Sequence, residues 1–360
     1  ALNLAAAFAL DGGELCFHPK NSNYVLVETQ NNGLQRSVNN GVSWSNATSG
    51  LSGTGAWVAP ILAHPDSVEI FYTARGQVFK SVNMGGSWTA ISTGTSGTIR
   101  EMAISKSEPN VMFATSGGTV YKSTDRGYTF VTSTSGVPNK TITSINIHPD
   151  SSKVAILTQS GFGGAKIHKT TNGGANWFSI NGDLPDSPIN DGLIYYPGYS
   201  TNVILAATDI GVYMTTNQGT NWVELANGLP NTVAMHLDYN QAAGKLRLGT
   251  HGRGTWELNG SLIGITNYNT ETPDKYYLKQ NYPNPFNPST KISFGIIKQG
   301  FVSIKIYNSI GREVAVLVNE NLKPGTYEAT FRGDNLSSGI YFYKLITNDY
   351  SETKRMMLVK

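Results

Sequence analysis

Two carboxylates hold the positions from which acid chemistry would be expected. Asp11 and Asp191 each stand at the entrance to an apolar strand, in Asp11-Gly12-Gly13-Glu14 and Asp191-Gly192. Cleavage of a glycosidic bond needs a pair of carboxyl groups facing one cleft about 5–10 Å apart, and two such residues lining one channel mouth would supply it. Asp beside Gly also builds the turn into a strand, so the structural reading stands next to the chemical one. Three histidines, His18, His64 and His148, each precede proline, which at first suggests a metal. They recur at equivalent repeat positions, where Ser105 takes the remaining place, so they are spread apart and point to a shared turn role. No metal and no cofactor are expected. Gly249-Thr-His-Gly-Arg-Gly254 reads as a hairpin, since no helix follows it to make a phosphate loop.

These residues are positioned by a repeat. Five segments align: Ser37-Val-Asn39-Asn-Gly41-Val-Ser43-Trp44, Ser81-Val-Asn83-Met-Gly85-Gly-Ser87-Trp88, Ser123-Thr-Asp125-Arg-Gly127-Tyr-Thr129-Phe130, Thr170-Thr-Asn172-Gly-Gly174-Ala-Asn176-Trp177 and Thr215-Thr-Asn217-Gln-Gly219-Thr-Asn221-Trp222. Their starts lie 44, 42, 47 and 45 residues apart. The chemistry of the segment is that of a hairpin: Asp or Asn accepts backbone N–H bonds, Gly takes positive φ, and the aromatic packs between sheets. An apolar strand precedes each segment, as in 15–19, 61–65, 145–149 and 193–197. A second follows, as in 68–74, 111–115, 154–159, 203–208 and 245–250, and turns at Gly33, Gly76, Gly118, Gly211 or Gly254 into a third. Four strands in about 45 residues is the size of one propeller blade.

The pattern Ser/Thr-x-Asp/Asn-x-Gly-x-Ser/Thr/Asn-aromatic resembles the Asp-box of the BNR-repeat propellers, a group that includes sialidases, sortilin-like domains and the xyloglucanase family. The resemblance implies an all-β fold of about six four-stranded blades, with box residues that are structural. A sialidase would need three clustered arginines, and only Arg36, Arg75, Arg100, Arg126, Arg247 and Arg253 occur up to residue 260. A hydrolase of xyloglucanase type would use Asp11 and Asp191, but in that family the site lies between two propellers and one is evident here. The sixth repeat, from about residue 232 to 258, lacks both the box and a fourth strand. Leu2-Asn-Leu-Ala5 resembles Val223-Glu-Leu-Ala226, so residues 2–8 are expected to complete that sheet and close the ring. The alternative is that they finish an earlier blade of a larger assembly, the chain being a processed or truncated product.

Beyond Leu262 the text changes. Residues 263–275 read as polar and irregular, and Asn281-Tyr282-Pro283-Asn284-Pro285-Phe286-Asn287-Pro288-Ser289-Thr290 follows. Its prolines exclude a central strand, so it is expected to be an extended loop anchored by Tyr282 and Phe286. Alternating strands follow at 291–296, 302–308, 313–318, 325–331, 339–347 and 353–359. This segment resembles the type A sorting domain of type IX secretion cargo, through the prolyl motif, Ile306-Tyr-Asn-Ser-Ile-Gly-Arg-Glu-Val314, Ser337-Ser-Gly-Ile-Tyr-Phe-Tyr-Lys-Leu345 and the basic last strand. The resemblance implies the type IX machinery as a partner and an extracellular or outer-surface destination, with removal or retention of the domain left open. The expected division is a propeller over 1–260, a linker over 261–275 and a small antiparallel β-sandwich over 276–360.

Bulk properties narrow the function classes. Only 14% of the 360 residues are charged, and 39 are Gly. Up to residue 260 there are 15 Lys+Arg against 16 Asp+Glu, and beyond it 12 against 8, so neither part is basic enough for nucleic-acid binding. The single Cys16 forms no intrachain disulfide, and no apolar run reaches the ~20 residues of a membrane span. Asp66-Ser67-Val68 resembles an O-glycosylation sequon. A secreted or surface propeller that binds a partner is the expectation, with Trp57, Tyr195, Tyr196 and Tyr199 available to stack on a glycan. Homo-oligomer or filament assembly by strand addition stands beside it, and the xyloglucanase-type hydrolase is the alternative.

Overall fold

The computed structural model describes residues 12–30, 32–194, 203–225, 232–240, 245–259, 265–269, 273–322, 324–333 and 336–360. Asp11, the 2–8 segment, Tyr195, Tyr196 and Tyr199 lie outside the described residues.

The repeats fold one by one into antiparallel meanders. β1 (Gly12–His18), β2 (Asn21–Thr29), β3 (Gly33–Ser37) and β4 (Ser45–Asn46) form the first sheet. β5 (Ile61–Ala63), β6 (Phe71–Ala74), β7 (Val78–Ser81) and β8 (Thr89–Ala90) form the second, and β9 (Glu101–Ile104), β10 (Met112–Ser116), β11 (Thr119–Ser123) and β12 (Val131–Thr132) the third. The fourth holds β13 (Ile142–Ile147), β14 (Ala155–Gln159), β15 (Ile167–Thr170) and β16 (Phe178–Ser179). The fifth holds β17 (Ile189–Ile194), β18 (Ile204–Thr208), β19 (Gly211–Thr215) and β20 (Val223–Glu224). β21 (Ala234–Asn240), β22 (Lys245–Thr250) and β23 (Thr255–Asn259) form a sheet with three strands among the described residues.

First strands of consecutive sheets touch, β1 with β5, β5 with β9, β9 with β13, β13 with β17 and β17 with β21, as in a propeller. Second strands are sandwiched between neighbouring sheets, so β6, β14 and β18 are buried at every residue and read as apolar runs rather than alternations. Four of the five box aromatics enter the core shared with the preceding sheet: Trp88 with Leu26 and Phe71, Phe130 with Tyr72, Trp177 with Phe113, Trp222 with Ile156. The indole N–H also crosses the seam, from Trp88 to Ala47 O (2.7 Å), Trp177 to Ser133 O (2.8 Å) and Trp222 to Ile180 O (3.1 Å). The buried indole nitrogen of Trp44 has no such partner.

The box geometry is constant. Asn39 Oδ1 accepts the Ser43 N–H (2.9 Å) and Ser37 Oγ the Gly41 N–H (2.8 Å), and the other four boxes repeat both bonds. The box glycines Gly41, Gly85, Gly127, Gly174 and Gly219 all have φ between 78° and 85°. A side chain there would be strained, and at Gly174 its Cβ would lie 2.8 Å from Phe113 Cε1 of the preceding sheet.

The C-terminal strands make two further sheets. β24 (Ile265–Asn269), β25 (Tyr277–Leu278), β26 (Ser289–Ile296) and β29 (Gly325–Arg332) pair in the order β24-β29-β26-β25. β27 (Gly300–Asn308), β28 (Glu313–Leu322), β30 (Gly339–Thr347) and β31 (Ser351–Leu358) pair as β28-β27-β30-β31. One apolar core, including Phe294, Ile304, Phe331, Tyr343 and Leu358, takes residues from both. Two expectations are corrected. The stretch read as irregular holds β24, whose β-prone Ile265-Thr266 pairs with the open edge of β29. The prolyl loop is anchored by Phe286 (1% exposed) and Asn281 (2%), whereas the Tyr282 ring is 81% exposed and only its backbone is tied, to Lys291. Tyr282 carries its polar end on a side chain that solvent satisfies, while Asn281 donates its N–H to the Tyr343 hydroxyl (2.8 Å) and its amide to Pro283 O and Thr290 Oγ1.

The same loop covers the outer edge of β31. The Phe286 N–H donates to Met357 O, Phe286 O accepts from Val359, and Asn284 Oδ1 accepts the Met357 N–H (2.9 Å). The opposite edge, β28, is interrupted by two register shifts, at Val314 and Leu317. Capping and bulging both discourage edge-to-edge pairing.

Candidate functional site

The first strands of consecutive sheets lie side by side, and four of them bring ionisable groups within electrostatic reach of one another: Glu14 on β1, Glu101 on β9, Asp191 on β17 and His236 on β21. Asp191 lies inside β17, at a register shift after Ile189, and not ahead of the strand as expected from its glycine neighbour. The shift turns its carboxylate toward the next sheet. There Oδ2 accepts the Leu237 N–H (2.9 Å) and pairs with His236 Nδ1 (2.9 Å), and Oδ1 accepts the Gly192 N–H (2.7 Å). The His236 side chain is 70% exposed, so this ion pair is wet and stabilises less than its length suggests.

The Asp191 hydrogen bond raises the His236 pKa to about 9 against the opposing cost of desolvation. Desolvation raises Glu14 to about 7, with further repulsion from Glu28 and Asp191, and raises Glu101 well above the ordinary carboxylate range. Glu28 is fully buried. Its carboxylate accepts N–H groups from Asn32 (2.9 Å), Ala59 (2.9 Å) and Glu14 (3.2 Å), which staples the first sheet to the loop entering the second.

Every one of these shifts favours protonation in the folded chain. For Glu14 the stabilisation is complete below its ordinary value of 4.5 and is lost as pH rises through about 7. For His236 it is complete below 6.5 and is lost through about 9. The buried histidines His18, His64, His148 and His168, whose pKa values desolvation lowers, add stability as pH rises and act alike in wild type and variant, so the test is a difference: relative to Glu14→Gln, the wild-type thermal midpoint should lose ground as pH rises from 5 through about 7. Scanning fluorimetry of both chains across the range checks it, and a difference that holds constant or changes the other way refutes the assignment.

Glu101, Glu28 and His236 escaped the sequence reading. A signal existed for the first: Glu14 and Glu101 both stand four residues before the turn residue of their repeat, His18 and Ser105. The three histidines are turn elements in the structure. His18, His64 and His148 each accept, through Nδ1, the N–H of the residue two ahead, Lys20 (3.1 Å), Asp66 (3.0 Å) and Asp150 (3.1 Å). Among the described residues no three His, Cys, Asp or Glu side chains converge as metal ligands. Trp57 is 62% exposed, on the loop between the first two sheets.

Residues 280–360 match the family model described as the secretion system C-terminal sorting domain, and residues 118–245 match the one described as sortilin, neurotensin receptor 3. This is an Asp-box repeat chain that carries a type IX sorting domain. As a type IX cargo it is exported to the extracellular space or the outer cell surface. No curated protein matches its sequence. Among solved structures it is similar to an ancestral GH74 enzyme (14% identity, 97% of this chain and 62% of that one, TM-score 0.56). It is also similar to a GH74 enzyme of Niastella koreensis (15%, 97% and 66%, TM-score 0.51) and to YCF48 from Cyanidioschyzon merolae (13%, 70% and 96%, TM-score 0.49). The type IX cargo thus spans less than two thirds of either GH74 enzyme, and at these identities the likeness is one of β-propeller fold. No helix of the described residues is long and apolar enough to cross a membrane.

Proposed function

We propose that this chain is a noncatalytic β-propeller that acts outside the cell by binding, and that its C-terminal module serves export and surface attachment. The observation that carries the reading is the use made of Asp191: its carboxylate is spent on Leu237, Gly192 and His236, which leaves it no part in acid or nucleophilic chemistry. The division into a propeller over 1–260, a connection over 261–275 and a sandwich over 276–360 belongs to this proposal, with β24 joining the sandwich. So does closure at six blades by residues 2–8, for which, among the described residues, the three strands of the last sheet and the Trp44 indole without a hydrogen-bond partner leave room. Homo-oligomer or filament assembly by strand addition stays within the proposal for residues 2–8 and for the β24–β25 sheet, while the other C-terminal sheet, capped at β31 and bulged at β28, is the less suited to it. The partner we propose is a glycan at the cell surface, with Trp57 as a stacking platform.

A second reading, hydrolysis of extracellular polysaccharide, draws on Glu14 and Glu101, two carboxyl groups that burial holds protonated in the way a general acid requires. One assay separates the two. The full chain, incubated with insoluble plant and bacterial polysaccharides, should be retained on at least one without releasing reducing ends. Release by the wild type that Glu101→Gln abolishes while retention persists would overturn the binding reading in favour of the hydrolase.

A further inference from the structure

The residue just before each box is basic in four of the five repeats: Arg36, Lys80, Lys122 and Lys169. Three of the four are engaged by the box of the next sheet. Arg36 Nη1 donates to Asn83 O (3.0 Å), Lys80 Nζ lies 5.6 Å from the centre of the Tyr128 ring, and Lys169 Nζ reaches Gln218 Oε1 (3.5 Å). Lys122 is the exception. Among the described residues its ammonium has no hydrogen-bond, ion-pair or ring partner, and it opens into a recess of about 280 Å³ between β12 and the fourth box.

The recess opens where the residue before the box glycine has no side chain. The position before the box glycine is Asn40, Met84, Arg126 and Gln218 elsewhere, all non-Gly residues held at positive φ, and here it is Gly173 (φ 69°). The position after the box glycine is Ala175. A second donor is released as well. Asn39, Asn83 and Asn217 spend their side-chain amide on Ser43, Ser87 and Asn221, but Asn176 Oδ1 is taken by Ser135 (3.1 Å), so the Asn172 amide N–H has no partner. Lys122, Asn172 and the Thr132 hydroxyl line the recess as donors without a partner among the described residues, and neither Asp nor Glu lines it. We infer that this recess binds the carboxylate of an acidic sugar, one monosaccharide unit deep, with Lys122 as the counter-ion and Asn172 and Thr132 as hydrogen-bond donors. Its volume is at the small end of ligand pockets, ~300 Å³. The site deepens the binding reading above and rests on it for its ligand class, a surface polysaccharide.

Titration calorimetry of the full chain tests the assignment with galacturonic acid, neutral galactose and sodium sulfate as probes. Galacturonic acid should bind at least tenfold tighter than either of the others. Lys122→Met and Gly173→Asn should each reduce that affinity at least tenfold. The second keeps the fold because Asn40 already occupies a similar backbone conformation at 55°, and the Cβ it adds would crowd the movable end of Lys122 (2.9 Å) while meeting the Lys153 and Ser152 backbone at ordinary contact distance (3.9 and 4.0 Å). Equal binding of galactose, equal binding of sulfate, or galacturonic acid binding untouched by both variants would each overturn the site. Retention of the two variants on neutral polysaccharide is the separate readout: if it is unchanged, loss of the recess leaves the wider binding reading standing.

Discussion

Trp177→Ala is expected to destabilise the repeat domain by about 3–5 kcal/mol, the usual cost of deleting a buried tryptophan. The ring is 3% exposed and packs edge-on against Phe113 of the preceding sheet, with centroids 5.9 Å apart. Its removal also strands the Ser133 carbonyl, which accepts the indole N–H. At roughly 2–4 °C per kcal/mol for a domain of this size, the melting midpoint should drop by about 10 °C. Trp177→Phe should cost less, about 1–2 kcal/mol, because a phenyl ring still fills most of the seam, as Phe130 does in the third box, and only the hydrogen bond and the smaller part of the indole are lost. Equilibrium denaturation of both variants gives the comparison. Equal losses would mean that the N–H bond, and not the packed ring, holds the sheets together.

Phe286→Ala should have its largest effect on export. Phe286 is 1% exposed, lies against Phe331 at 5.7 Å between centroids, and is bonded through its backbone to Met357 and Val359. Deleting the ring empties the junction of the prolyl loop with β31, again at about 3–5 kcal/mol. A module of some 85 residues has little stability to spare. The wild-type chain should reach the surface or medium while the variant is held back at least tenfold, as read by immunoblot of cell fractions. Tyr282→Ala serves as the contrast, since its exposed ring packs against nothing that the export module needs. If Phe286→Ala travels as well as wild type, a folded C-terminal core is not required for passage.

How far the sequence could be read differs between the two halves of the problem. The repeats were legible because each box fixes two backbone bonds and a positive φ locally, so its signature survives without knowledge of the neighbours. The β-strands of the prolyl module were legible for the same reason, from alternation and turn residues. What the reading missed depends on contacts between repeats. The roles of Glu28, Glu101 and His236 follow from which first strands meet at the middle, and Asp191 is turned aside by a register shift that no motif announces. Strand β24 was hidden because its short polar-apolar alternation means nothing until β29 offers an edge. Tyr282 misled through composition: an aromatic between prolines suggests an anchor, yet the neighbouring Asn281 holds the loop by polar bonds.

The cations that precede the boxes give the ring a direction. Each of Arg36, Lys80 and Lys169 reaches forward, and the fifth repeat, whose successor has no box, carries Met214 in the same place. The unit that must be inherited together is thus the third strand of one repeat with the box of the next, a piece that straddles the boundary between sheets. Arg36 and Asn83 lie 47 residues apart and Lys169 and Gln218 lie 49 apart, each at least one whole repeat, so a lone copied repeat carries a cation without its acceptor and gains the contact only when another box follows it.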